Sequence, residues 1–212
     1  MIVNVIFDMD GTLIDSSGDI IDCIKHAYTF TPSLLPIVID KSFIGPPLND
    51  VIKKVTPKIT ELQLKIVSDR FRKCYDKSTY KKTCLLPEVE LTLNSLNSLS
   101  INTFIATNKP KLATYRILKK LKLNSFKDII TIDTLSLPMS KTEIVSFISA
   151  KYNLNPTETL LVGDTPSDIN AAHSNNLKSV AVTYGYGKLS DLKNANPTYV
   201  IDSLAQLLNI CK

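Results

Sequence analysis

The sequence predicts an α/β fold: a parallel sheet wrapped by helices and interrupted early by a small helical insertion. Three observations carry this. Five short runs, residues 2–7, 101–106, 128–132, 159–162 and 179–183, are rich in β-branched and apolar residues without clean alternation, the pattern of strands buried on both faces. Stretches with helical spacing separate the later runs, and strands alternating with helices argue for a parallel sheet. The interval between the first two runs, residues 8–100, far exceeds the roughly dozen residues of a single crossover. It must therefore hold structure of its own.

Residues 2–7 open the sheet. Inside the long interval, helical patterns cover roughly 15–31, 48–55 and 61–77, with Thr60 and Gln63 placed as a capping box for the last. Leu62, Ile66 and Tyr75 are expected on or near one face of that helix. Residues 87–99 read as the helix leading back to the second strand. These elements assign 15–82 to an inserted helical domain, and 1–14 with 83–212 to the core. Beyond the second strand, 111–123 carries Leu112, Tyr115, Leu118 and Leu121 at a repeat of three, and 140–152 carries Ile144, Val145, Phe147 and Ile148. In such sheets ligands bind beyond the carboxyl ends of the strands, which says where chemistry should be sought.

With 212 residues the chain can build one core plus a small accessory domain. Its 44% hydrophobic and 21% charged residues are ordinary for a soluble protein. The net charge of +5 comes from lysines scattered along the chain, so no nucleic-acid partner is expected; a mild positive balance also suits an enzyme that draws in small anions. Cys23, Cys74, Cys84 and Cys211 form no C-x-x-C pair and have no histidine cluster, which argues against zinc. The first residues lack the pattern of a signal peptide, and no apolar run approaches the ~18 residues of a membrane span. A cytoplasmic protein with no membrane partner and with reduced cysteines used for packing is therefore expected. Oligomeric state is not legible in the sequence.

The chemistry lies at the strand ends. The first run ends in Asp8-Met9-Asp10-Gly11-Thr12-Leu13. Two carboxylates one residue apart beside a buried strand repel each other, unless a metal or a reaction offsets them. For the D-x-D pair alone a solvated capping turn is the simpler reading, but the longer string, with Gly11 suited to a tight turn, changes the weighing. The second run ends in Ala106-Thr107-Asn108-Lys109, where the Thr107 hydroxyl and Asn108 amide can donate to phosphate oxygens; a helix cap or turn would use them equally. Lys141 opens a helix, and the fourth run ends in Gly163-Asp164-Thr165-Pro166-Ser167-Asp168, where Asp168 suits a cap as well as a site. Together, Asp8, Asp10, Asp164 and Asp168 would crowd negative charge at one mouth. Such a site should bind a hard, oxygen-preferring cation, for which Mg2+ fits. Lys141 and the cation would then admit a dianionic phosphate.

These residues resemble the haloacid dehalogenase superfamily, which shows D-x-D-G-T after its first strand, Thr or Ser after its second, a Lys, then G-D-x-x-x-D. All four occur here in that order and frame essentially the whole chain. The resemblance implies a Rossmann-like core, with the insertion as the family's small α-helical cap, and a Mg2+-dependent phosphatase acting through a phosphoaspartyl intermediate. It assigns Asp8 as nucleophile and Asp10 as general acid and base. Asp8, the Asp10 main-chain carbonyl, Asp164 and Asp168 would hold the metal, and Thr107, Asn108 and Lys141 the phosphoryl group. Phe43-Ile44-Gly45-Pro46-Pro47-Leu48, Ala106-Thr107-Asn108-Lys109-Pro110 and Val182-Thr183-Tyr184-Gly185-Tyr186-Gly187 are similar to phosphoglycolate phosphatases and related pyrophosphatases. A small phosphorylated metabolite, phosphoglycolate first, is the substrate this implies.

One departure stands out: close relatives often have Lys-Pro at the third motif, whereas Lys141 is followed by Thr142-Glu143. Rival readings are a sugar phosphomutase of the same superfamily, a receiver-type phospho-signalling domain, and a catalytically silent binding module. Phosphomutases often show D-G-V where this chain has Gly11-Thr12-Leu13. Within the insertion Gly45, Lys53, Arg70 and Arg72 could shape or charge the pocket, although a solvated helix surface is the ordinary place for each basic residue.

Overall fold

The computed structural model describes residues 1–31 and 39–212. Six parallel strands form one sheet: β1 Asn4–Phe7, β4 Asn102–Thr107, β5 Asp128–Thr131, β6 Thr159–Gly163, β7 Lys178–Val182 and β8 Tyr199–Ile201. They lie in the order β5-β4-β1-β6-β7-β8. The chain moves outward from β1 to β5, then returns to build β6 to β8 on the other side of β1. The β1/β6 boundary is thus the switch point at which ligands bind in such sheets. Phe7 pairs with Ile105 on one side and Val162 on the other, so the residues following β1 and β6 emerge side by side at one edge.

Val5 and Phe7 face one hydrophobic layer with Ile105, Leu160 and Val162. Ile6 faces the opposite layer with Phe104 and Leu161. Both faces are covered, which is why the strand sequences read as continuous apolar runs. Helices α4 Val89–Ser98, α5 Lys111–Leu121, α6 Lys141–Tyr152, α7 Pro166–Ser174, α8 Leu189–Asn194 and α9 Leu207–Cys211 complete this part of the chain. Strand β8 was not anticipated; three residues shortly after Pro197 give little pattern to read.

Between β1 and β4 lie helices α1 Ser17–Ala27, α2 Leu48–Val55 and α3 Glu61–Lys77. The chain leaves and rejoins the sheet region through a two-residue antiparallel ribbon, β2 Ile14–Asp15 against β3 Cys84–Leu85. Helix α1 begins only at Ser17, after Asp15 has joined this ribbon, and tightens into a 3-10 turn over Tyr28–Phe30. The capping box of α3 is present: the Thr60 side chain accepts from the Gln63 N–H and Gln63 Oε1 accepts from the Thr60 N–H.

Three expectations need correction. The buried face of α3 is Leu64, Val67, Phe71 and Tyr75, while Leu62 and Ile66 are exposed; at 3.6 residues per turn Leu62 and Tyr75 fall on opposite sides. Helix α5 buries Ala113, Thr114, Ile117 and Leu118, leaving Leu112 and Tyr115 outward. Cys23 and Cys74 are not separate thiols. They form a disulfide joining α1 to α3 across 51 residues, with Cα atoms 5.6 Å apart, because the two helices pack side by side. Cys84 and Cys211 are free. Among the described residues no helix is long and apolar enough to cross a membrane.

Candidate active site

Four chain segments meet at the carboxyl edge of the sheet. Asp8 follows β1 and donates its backbone N–H to the Val162 carbonyl of β6, 2.8 Å away. Asp164 follows β6, and Asp168 lies in the first turn of α7. One carboxylate oxygen from each of Asp8, Asp164 and Asp168 lies within 4.8 Å of the others, and all three residues are buried. Lys141 Nζ reaches into this group. It bonds Asp8 Oδ1, sits 3.0 Å from Asp168 Oδ1, and donates to the Ala106 carbonyl at 2.9 Å.

Local sequence explains each placement. Gly11 adopts φ +87° and has its α-carbon against the Asp164 carboxylate, where a β-carbon would collide; glycine is the residue that tolerates both. Thr12 Oγ1 then donates to Asp164 Oδ1 at 3.1 Å, and the Tyr186 N–H to Asp164 Oδ2 at 2.7 Å. Asp168 does two jobs. Its Oδ2 accepts from the Thr165 N–H and hydroxyl at 3.1 and 2.7 Å, a helix cap, while its Oδ1 pairs with the Lys141 ammonium. Lys141 is the first residue of α6, whose N-terminus is closed by a box between Ser140 and Glu143. With Thr142 where close relatives often have proline, the turn that aims Lys141 is fixed by Glu143, whose Oε2 accepts from the Ser140 N–H at 2.7 Å.

Like charges oppose one another in this cluster. Burial, reinforced by Asp168 and Asp164 and opposed by Lys141, pushes the Asp8 carboxyl well above its ordinary range. Burial and then Asp168 push Asp164 up to about 7. Burial alone would lower the Lys141 ammonium, but Asp168 and Asp8 together hold it above its usual value. One buried cation faces three buried carboxylates. An all-oxygen donor set whose carboxylates outnumber the one ammonium fits a hard divalent ion.

Asp10 stands apart from the triad. Its Oδ1 accepts from the Ser16 hydroxyl and lies 3.1 Å from Lys109 Nζ, which also donates to the Tyr75 hydroxyl at 2.8 Å. Thr107 ends β4 with its hydroxyl accepting from the Lys109 N–H at 3.1 Å. Asn108 directs its amide to the Gly45 carbonyl at 3.0 Å, leaving its buried Oδ1 unpartnered.

A sequence profile of the haloacid dehalogenase-like hydrolases matches residues 5–182. The chain belongs to that family. It is similar to a phosphoglycolate phosphatase of Haemophilus influenzae, with 30% identity over 214 residues and 96% of each chain covered. A phosphoglycolate phosphatase of Vibrio vulnificus is 27% identical over 97% of this chain and 94% of its own. Among solved structures, a predicted phosphatase from Clostridium acetobutylicum superposes with a TM-score of 0.87 at 26% identity, covering 99% of this chain and 98% of its own. A haloacid dehalogenase-like hydrolase from Streptococcus pneumoniae gives 0.89 at 25%, covering 100% and 99%.

In this haloacid dehalogenase-like hydrolase a cavity of about 580 Å³ opens between the inserted helices and the sheet edge, reaching Asp10, Asn108 and Lys109. Of the four residues singled out in the insertion, Gly45 and Arg72 line it. Lys53 instead pairs with Glu61 at 3.1 Å, and Arg70 lies over the Phe30 ring and bonds the Ala27 carbonyl. The sequence gives Lys109, Tyr75 and Ser16 no role at the site, yet they surround Asp10. Lys109 sits just beyond the Thr107-Asn108 pair, yet nothing but spatial proximity to Asp10 separates it from the other basic residues. Tyr186 lay in a segment noted only for resemblance; its hydroxyl accepts from the Ser16 N–H at 2.8 Å and donates to Asp15 at 2.9 Å.

Lys141→Met in this hydrolase should lower stability by about 3–5 kcal/mol when divalent ions are chelated, because one partner of a buried charge group is removed. Urea denaturation with and without MgCl2 checks this, with partial recovery expected when the ion is supplied. An unchanged midpoint in chelator would show that Lys141 does not offset the carboxylates.

Proposed function

We propose that this protein is a Mg2+-dependent phosphatase of small phosphomonoesters that works through a phosphoaspartate on Asp8. The observation that carries the reading is the meeting of the Asp8, Asp164 and Asp168 carboxylates within 4.8 Å, with Lys141 against them. Asp8, Asp164, Asp168 and the Asp10 main-chain carbonyl would hold the ion, which supplies positive charge to the transferring phosphoryl group. One Asp8 oxygen attacks phosphorus and the bond to the leaving oxygen breaks, while Asp10 gives that oxygen a proton. Water then attacks the acyl phosphate, Asp10 takes its proton, inorganic phosphate leaves and the Asp8 carboxylate returns. Lys141, Thr107 and Asn108 stabilise the charge on the phosphoryl oxygens.

Residues 15–82 act in this reading as a cap that excludes bulk water and selects the leaving group. The cavity between these residues and the sheet edge supports that role. Names of relatives such as the Haemophilus influenzae enzyme make phosphoglycolate the first metabolite to assay.

The test is phosphate release from a panel of phosphorylated metabolites. Chelation of divalent ions should reduce turnover to background and Mg2+ should restore it. A hydroxylamine-labile phosphoenzyme should be trapped by acid quench. Turnover indifferent to chelator, or sugar-phosphate isomerisation in place of phosphate release, would overturn the reading.

A further inference from the structure

We propose that the leaving group this site takes is an uncharged, largely apolar alcohol, alkyl or aryl, and that anionic esters such as phosphoglycolate are poor substrates. The inference deepens the phosphatase reading and rests on it. The cavity that begins at Asp10 is walled by Ile20 and Ile24 of α1, Ile44, Val51 of α2, and Phe71 and Tyr75 of α3. These apolar side chains come from every described helix of the insertion. At about 580 Å³ the space falls within the range of cavities that enclose medium-sized organic ligands, roughly 300–1,000 Å³, and far exceeds a two-carbon acid.

Charge decides against a second anion. Among the described lining residues the cationic side chains are Lys109 and Arg72. Lys109 is buried and already engaged, 3.1 Å from Asp10 and 2.8 Å from the Tyr75 hydroxyl. Arg72 is 57% exposed and lies 4.0 Å from Asp69. The same cavity is lined by the acidic residues Asp10, Asp76 and Asp133. A carboxylate on the leaving group would lose its hydration against hydrocarbon and carboxylates, with no free buried cation among the described lining residues to receive it. An alkyl or aryl group loses water to matching walls.

The experiment compares kcat/KM, with Mg2+, for n-alkyl phosphates from methyl to octyl, for phenyl and naphthyl phosphate, and for phosphoglycolate. Each added methylene should raise kcat/KM about threefold to fourfold until the cavity is full, the factor expected for burying one CH2. Hexyl phosphate should exceed phosphoglycolate at least tenfold. In Phe71→Ser the ratio of hexyl to methyl phosphate should fall several-fold, and because both esters are read on one preparation, loss of folded enzyme cancels. A flat alkyl series, or phosphoglycolate ahead of every alkyl and aryl ester, would overturn the inference while leaving the phosphatase reading intact. Hydrolysis of none of the esters would defeat both.

Discussion

Asp8→Asn should lower kcat on the order of 10⁴-fold or more, as removal of a covalent nucleophile does where positioning alone remains. The substitution keeps the shape of the side chain and removes the attacking carboxylate. It also takes away a buried carboxyl that burial, and after it Asp168 and Asp164, raise against the pull of Lys141. The variant should therefore fold, with stability in chelator equal to or above that of the parent. Two measurements check this: steady-state phosphate release, and the hydroxylamine-labile phosphate of acid-quenched enzyme, which should vanish. Substantial turnover in a verified variant would place the nucleophile elsewhere and remove the foundation of the proposed mechanism.

Asp10→Asn is expected to cost about 10²–10⁴-fold in kcat, the usual contribution of a positioned acid or base. Its environment differs from that of Asp8: the Ser16 hydroxyl and Lys109 converge on Oδ1, and the side chain lies outside the three-carboxylate cluster. The loss should depend on the ester. An aryl phosphate with a good leaving group needs little protonation, so its phosphoenzyme should still form, then accumulate because water lacks its base. An alkyl phosphate should be slowed already at the first step. Equal losses for both esters without phosphoenzyme accumulation would assign Asp10 to ion or substrate binding alone.

The sheet and the acidic cluster were legible for a physical reason. Strands buried on both faces leave continuous apolar runs, and carboxylates that recur after two such runs point to one edge together although each alone could be an ordinary turn. Asp8, Asp10, Asp164 and Asp168 were anticipated at one mouth with Lys141; Asp8, Asp164, Asp168 and Lys141 meet, whereas the Asp10 carboxylate lies against Ser16 and Lys109. What escaped was pairing between distant, individually ordinary residues. Lys109 is one basic residue among 25, and only folding brings it between Asp10 and Tyr75. Leu62, Ile66, Leu112 and Tyr115 are apolar yet exposed, so counting apolar residues misjudged which sides of α3 and α5 are buried. The Cys23–Cys74 link depends on two helices packing side by side, which spacing in the sequence does not reveal.

The β2/β3 ribbon has a mechanical meaning. Both crossings between the inserted helices and the sheet region pass through Ile14–Asp15 and Cys84–Leu85, and Asp10 is bridged to Ile14 in the same turn. Ser16 comes directly after the ribbon; its hydroxyl holds Asp10 and its N–H is held by Tyr186. The segment that carries the chain into the inserted helices thus also holds the Asp10 side chain. In the proposed mechanism the seating of these helices would therefore be felt at the acid, because Ser16 joins the two.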